Sequence, residues 1–121
     1  MHFAAAASAA ERDLLSAGAA AFEPCRACHA FDAQAGGLAG PDLADLIGRP
    51  VGGSPRFDYS GVLRAAGDRG LVWDRARLEA FLADPEGMFP GMWMSYPAIR
   101  DPNERKALVA FIAAQQGLPP R

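Results

Sequence analysis

Lysine is nearly missing from these 121 residues: Lys106 is the only one, and every other basic side chain is arginine. Twelve basic residues face 14 acidic ones, for a formal charge of −2. A chain without a basic surplus lacks the electrostatic footprint of a nucleic-acid binder, which excludes that as its main role. Cysteine is scarce as well. Cys25 and Cys28 are the whole complement, too few for a disulfide scaffold, so they define one local site. No apolar run reaches about 18 residues, and no transmembrane helix is expected. Neither an alternating strand pattern nor an internal repeat is visible.

Half of the residues are hydrophobic, as in a globular chain, and the length suits one domain. Alanine dominates, alongside 13 Gly and 10 Pro. The core is therefore thin, and something besides side chains is expected to help fill it. Residues 1–9 begin MHFAAAASA, small and apolar without the basic start of a complete signal peptide. They are expected to be a tail, or the remnant of a signal or anchor, outside a single domain spanning 10–121.

Local signals predict an all-α fold with long loops. Ala10–Phe22 is rich in helix formers, and Pro24 ends that helix. The stretch 33–55 is Gly- and Pro-rich loop, with one helical turn expected at Leu43–Ile47. Ser60 is positioned to cap a short helix over Val62–Ala66 that Gly67 ends. Asp74 caps Arg75–Ala83, where Leu78, Phe81 and Leu82 form one apolar face. Residues 84–100 hold three prolines and three methionines and read as an irregular strap. The last helix has Asp101 as cap, Pro102 at N1, Glu104 at N3 and Gly117 as its stop, with Leu108, Phe111, Ile112 and Gln115 at helical spacing. Long loops in so small a domain need something apolar to pack on.

Cys25-Arg26-Ala27-Cys28-His29 has the C-x-x-C-H form of a c-type haem attachment site. Two thiols at this spacing reach the two vinyl groups of one porphyrin edge, and the adjacent histidine stands under the iron. Other readings fit less well. Zinc asks for about four ligands, usually as two separated pairs; here there is one pair and one neighbouring His. A thioredoxin-like redox pair follows a strand and opens a helix, whereas this pair follows a helix and precedes a Gly-rich loop. A motif this short also occurs by chance, so the rest of the chain has to decide.

The rest resembles the class I c-type cytochromes, nearest the bacterial cytochrome c2 and mitochondrial cytochrome c group. The resemblance spans residues 10–117. It is carried in order by Gly18 and Phe22, the Cys25–His29 motif, Gly40-Pro41-Asp42-Leu43, Gly48-Arg49, Phe57-Asp58-Tyr59-Ser60, Trp73, Pro90-Gly91-Met92-Trp93-Met94, and Leu108 with Phe111. It implies the cytochrome c fold, in which the first and last helices cross and loops wrap one covalent haem c.

The same resemblance implies roles. Cys25 and Cys28 would form the thioethers, with His29 as one axial ligand. Met94 would be the other, since only it completes Pro-Gly-x-x-Met after Pro90-Gly91; Met88 and Met92 are nearby rivals, and plain packing is the commoner use of methionine. The Pro41 carbonyl would accept the His29 ring N–H. Arg49, Tyr59 and Trp73 would hold a buried propionate, which needs donors in an apolar core. Leu43, Leu46, Leu82 and Ile99 would line the haem faces. Phe81 stands where many relatives carry a tyrosine near the methionine sulfur, and so removes one hydroxyl from the site. Gly18 and Phe22 would meet Leu108 and Phe111.

In function, the resemblance implies a soluble single-electron carrier that is not an enzyme and works as a monomer in the bacterial periplasm. Its partners would be redox proteins such as a membrane oxidoreductase, a terminal oxidase or a reaction centre. Two alternatives stand beside it: a haem enzyme or gas sensor with an open sixth site, and the haem domain of a larger, membrane-anchored electron-transfer protein. Mitochondrial relatives ring the exposed haem edge with lysines. Here the strap reads Glu86-Gly87-Met88 and Met92-Trp93, with only Arg100 beyond. Trp93 and Met92 would offer an apolar patch or be buried. The haem propionates deepen the negative charge, so the partner's docking face is expected to be neutral or basic.

Overall fold

The computed structural model describes residues 7–120. Among the described residues five α-helices follow one another: α1 (Ala9–Phe22), α2 (Gly61–Asp68), α3 (Arg75–Ala83), α4 (Pro85–Met88) and α5 (Pro102–Gln115). Among the described residues the only β pairing is a single antiparallel bridge between Pro50 and Val72.

Helix α1 starts earlier than the sequence suggests. Ser8 is its N-cap, accepting from the Glu11 N–H while the Glu11 carboxylate accepts from the Ser8 N–H. This reciprocal pair satisfies two donors that a helix start leaves without partners. The expected tail of residues 1–9 therefore overlaps the helix at Ser8 and Ala9; residues 1–6 lie outside the described part. Pro24 ends the α-helix but not the coiling, because proline fits the first turn of a 3₁₀ segment over Glu23–Ala27.

α1 crosses α5, and the crossing point is Gly18. A Cβ there would lie 2.1 Å from the Ala107 carbonyl oxygen and 2.6 Å from Phe111 Cβ. Only glycine lets the two backbones approach this closely. Phe22 packs beside it, with ring centroids 4.8 Å from Phe31 and 5.7 Å from Phe111. α5 buries Ala107, Leu108, Val109, Ala110, Ile112 and Ala113, while Gln115 faces solvent. Its end is closed by Gly117 N–H to Ala114 O and Leu118 N–H to Ala113 O, with Gly117 at φ 82°. That pair of bonds is the Schellman stop.

α3 matches its expected bounds, with Asp74 accepting from Arg77 N–H. The other local expectations need correction. No helical turn forms at Leu43–Ile47: Asp45 takes φ 53°, and the chain makes two separate turns, Leu46 N–H to Leu43 O and Arg49 N–H to Leu46 O. α2 runs past Gly67 to Asp68, because the chain reverses only at Gly70, which has φ 86°. Ser60 stands at the N-cap of α2 but its hydroxyl caps nothing. The strap is irregular except for α4, one turn capped by Asp84.

Two long-range ties position the loops. Gly48 N–H donates to Trp73 O, Trp73 N–H to Arg49 O, and Val51 N–H to Leu71 O, so segments 48–51 and 71–73 run side by side. Gln116 meets Ile47 twice, accepting from its N–H at 2.9 Å and donating to its carbonyl at 3.0 Å. The strap returns to the core where Ile99 N–H donates to Leu82 O. Arg105 then grips the carbonyls of Ile99 and Arg100.

Candidate functional site

A cleft of about 370 Å³ opens between α3, the inner side of the helix crossing and the loops. That volume is ordinary for a small-molecule pocket. Cys25, Cys28 and His29 stand at one side, and Met92 and Met94 on the strap also line it.

Backbone hydrogen bonds fix the attachment segment. Cys28 and His29 N–H both return to Cys25 O, Gly40 N–H reaches Cys28 O, and Leu43 N–H reaches Ala30 O. Loop 40–43 is thereby pinned over the histidine. A Cβ on Gly40 would lie 2.4 Å from His29 Cε1, so glycine is required for the backbone to lie against the imidazole. Just beyond it, the Pro41 carbonyl sits 2.8 Å from His29 Nδ1. A carbonyl only accepts, so Nδ1 carries the proton and Nε2 keeps its lone pair. Burial pushes the His29 pKa down, against the opposing pull of that bond. The ring is therefore a neutral donor suited to a metal.

The cysteine thiols are half-buried and unbridged. Burial, and secondarily the nearby Cys28, push the Cys25 thiol up. A dithiol redox centre needs the opposite shift, toward thiolate. Among the described residues no three His, Cys, Asp or Glu side chains converge as an ion site, so the tetrahedral zinc set is not built.

Of the other expected site residues, Pro41, Leu43, Leu46, Arg49, Tyr59, Trp73, Phe81 and Leu82 all line the cleft. Ile99 does not. It is buried in the core, with its backbone N–H bonded to the Leu82 carbonyl. Phe81 packs edge-on against Trp73, ring centroids 5.2 Å apart.

Arg49 is more committed than the sequence suggests. Its guanidinium donates to the Asp42 carbonyl at 2.8 Å, to Asp42 Oδ1 at 3.1 Å and to the Ala44 carbonyl. Asp42 is itself buried and also receives Arg56 at 2.9 Å. The Arg56 hydrogen bond is the main cause holding the Asp42 carboxyl below its usual range. Two guanidiniums thus share one buried carboxylate. One positive charge is left beside the cleft to meet an anionic group.

Sequence reasoning missed Ser60 as a cleft residue. Its hydroxyl is buried with no hydrogen-bond partner, and it lines the cleft beside Tyr59. A buried hydroxyl without a partner is costly unless a bound group supplies one. The residues present therefore fit the group: apolar faces, two thiols, a neutral imidazole, a thioether, and donors at the far end. Its place directly after Tyr59 was the only signal in the sequence.

The sequence and fold have counterparts among known proteins. A cytochrome c2 of Agrobacterium tumefaciens (strain II Chrys) is 41% identical over 95 residues, covering 78% of this chain and 86% of the relative. The chain belongs to the cytochrome c2 family. Another cytochrome c2, from Afifella marina, is 34% identical over 83% of the chain and 81% of its own length. In three dimensions the chain superposes on cytochrome c2 from Rhodospirillum centenum with a TM-score of 0.76 at 32% identity, covering 83% of this chain and 96% of that one. On cytochrome cH from Methylobacterium extorquens the TM-score is 0.73 at 36% identity, over 83% and 97%. No family model matches the chain. Cytochromes c2 are class I c-type cytochromes: all-α electron carriers with one covalent haem c. Cys25 and Cys28 stand here in the spacing that such attachment needs.

Proposed function

We propose that this cytochrome c2 homologue is a single-electron carrier in which Cys25 and Cys28 bear the haem, His29 and Met94 are the axial ligands, and no substrate is transformed. When bound, haem c supplies an iron that passes between ferric and ferrous by one electron. The chain's residues set the conditions for that. The hydrogen bond from His29 Nδ1 to Pro41 carries the reading, because it fixes the ring orientation and leaves Nε2 as the ligating atom. Met94 offers a soft, neutral sulfur, and methionine ligation raises the potential. It follows Pro90-Gly91 at the family's interval and is half-buried at the cleft. Met92, buried against the same cleft, is the rival. Arg49, Tyr59, Trp73 and Ser60 would take the propionate end. Leu43, Leu46, Phe81 and Leu82 would exclude water from the faces.

The partner is a redox protein, such as a membrane oxidoreductase, a terminal oxidase or a reaction centre. The compartment is the bacterial periplasm, because c-type haem is attached outside the cytoplasm. Among the described residues no helix is long and apolar enough to cross a membrane.

The test is an optical spectrum of both oxidation states with a redox titration, on the parent, Met94→Ala and Met92→Ala. One reversible one-electron couple is expected. The ferric sulfur-to-iron charge-transfer band should survive in Met92→Ala and vanish in Met94→Ala, whose potential falls. Rapid CO binding by the parent's ferrous form would favour an open-site enzyme or sensor and overturn the carrier reading.

A further inference from the structure

Trp93 is 64% exposed and Tyr96 40% exposed. Both stand at the mouth of the cleft, on the same strap as Met94. A tryptophan this exposed adds little to the core, and large aromatic side chains left in solvent beside a functional cleft mark interaction sites.

The electrostatics around them are unusual for a chain that is one-fifth charged. Residues 87–99 carry no charged side chain at all. The nearest charges along the strap are Glu86 and Arg100, one of each sign, with Asp84 and Asp101 beyond them occupied as helix caps. Among the described residues the only charged group lining the cleft is Arg49, which lies at its inner end and shares the buried Asp42 carboxylate with Arg56. Arg26, near the attachment segment, is paired with Glu23 at 2.9 Å. Lys106, the one lysine, lies on α5.

We infer that this face docks a redox protein through an apolar, uncharged surface, with Trp93 as the anchor and Tyr96 beside it. The inference rests on the carrier reading above and names the partner's surface chemistry. A strap segment with no charged side chain offers no partner to a ring of acidic or basic groups. Its attraction comes from burying the indole and phenol faces. Such an encounter needs little area, since weak redox complexes bury less than about 1,200 Å² in total. A second copy of the chain is the less suitable occupant: lasting cover over this mouth would shut the cleft away from any electron donor or acceptor.

The experiment is voltammetry of the haem-loaded protein on gold electrodes coated with methyl-, carboxylate- or ammonium-terminated alkanethiol monolayers. The parent should adsorb and exchange electrons on the methyl surface. Its coverage should change by less than about twofold between 0.1 M and 1 M salt, where the screening length falls from about 10 to about 3 Å. Trp93→Ser should weaken adsorption about tenfold, as loss of an aromatic anchor does, and Tyr96→Ser should weaken it less. Adsorption confined to a charged monolayer and abolished by salt would overturn the inference. So would unchanged adsorption in both variants. A parent dimer in sedimentation that Trp93→Ser splits would also overturn it, giving the patch to a second copy. Failure of the carrier reading appears separately, as absence of a one-electron couple in free solution with small mediators.

Discussion

At the α1–α5 crossing, side chains fill the space completely. Gly18 admits Ala107 and Phe111, and Phe22, Phe31 and Phe111 close around the contact. Against its inner side, where Phe22, Leu108 and Ile112 face it, the loops between α1 and α2 and the strap before α5 surround a cleft of about 370 Å³. Their hydrogen bonds hold a frame and leave Ser60 without a partner. The first region is complete as folded protein. The second is shaped for an apolar occupant with an acceptor at one end, and its stability belongs partly to that occupant, because whatever binds only the folded state stabilises it.

The sharpest way to break this contrast is to remove the attachment. Cys25→Ala with Cys28→Ala should abolish covalent haem, read by acid-acetone extraction. In circular dichroism the helices of the crossing should melt with far less cooperativity than the parent, since the loop half loses its filling. Next in size is the crossing itself. Gly18→Val forces branched carbons into the space of Ala107 and Phe111, and overpacking of this kind costs about 3 kcal/mol. Denaturant midpoints should fall by more than the haem potential moves, because Gly18 itself does not line the cleft although Phe22 and Leu108 beside it do.

Asp42→Asn tests the loop frame. Removing one partner of a buried ion pair costs about 3 kcal/mol at the low end, and Asp42 serves two arginines. The pH sign follows from its lowered pKa, caused first by Arg56. The contribution is present above the ordinary carboxylate range near pH 4 and is lost as pH falls through the lowered native value. Acid should therefore loosen the parent more steeply than Asp42→Asn, measured as unfolding free energy against pH. Smallest is Gln116→Ala, which severs both bonds to Ile47. A loss of about 1–2 kcal/mol is expected, with faster hydrogen exchange at Ile47, because this side chain ties the crossing to the loops.

Helices were legible where the signal is local. Asp74 and Asp101 cap where the sequence placed them, and Gly117 closes α5, because a cap depends on neighbours a few residues away. Boundaries failed where distant contacts intervene. Asp45 adopts φ 53° in a loop tied to Gln116, and Ser60 sits at a helix start yet its hydroxyl is buried without capping it. Motifs named in advance most of the residues that line the cleft; Ile99 is buried beside Leu82 and does not line it.

By itself, the sequence determined the covalent chemistry. Cys25, Cys28 and His29 lie within five residues, so their pattern, read with the motifs that follow it, points to a haem-attachment segment, and the composition calls for a filler for a thin core. Only the tertiary structure decided what surrounds it. Asp42 buried between two arginines, Gly40 laid on the imidazole, and Trp93 left in solvent at an uncharged mouth all depend on segments far apart in the chain. Burial and charge pairing are properties of that meeting, and no local pattern encodes them.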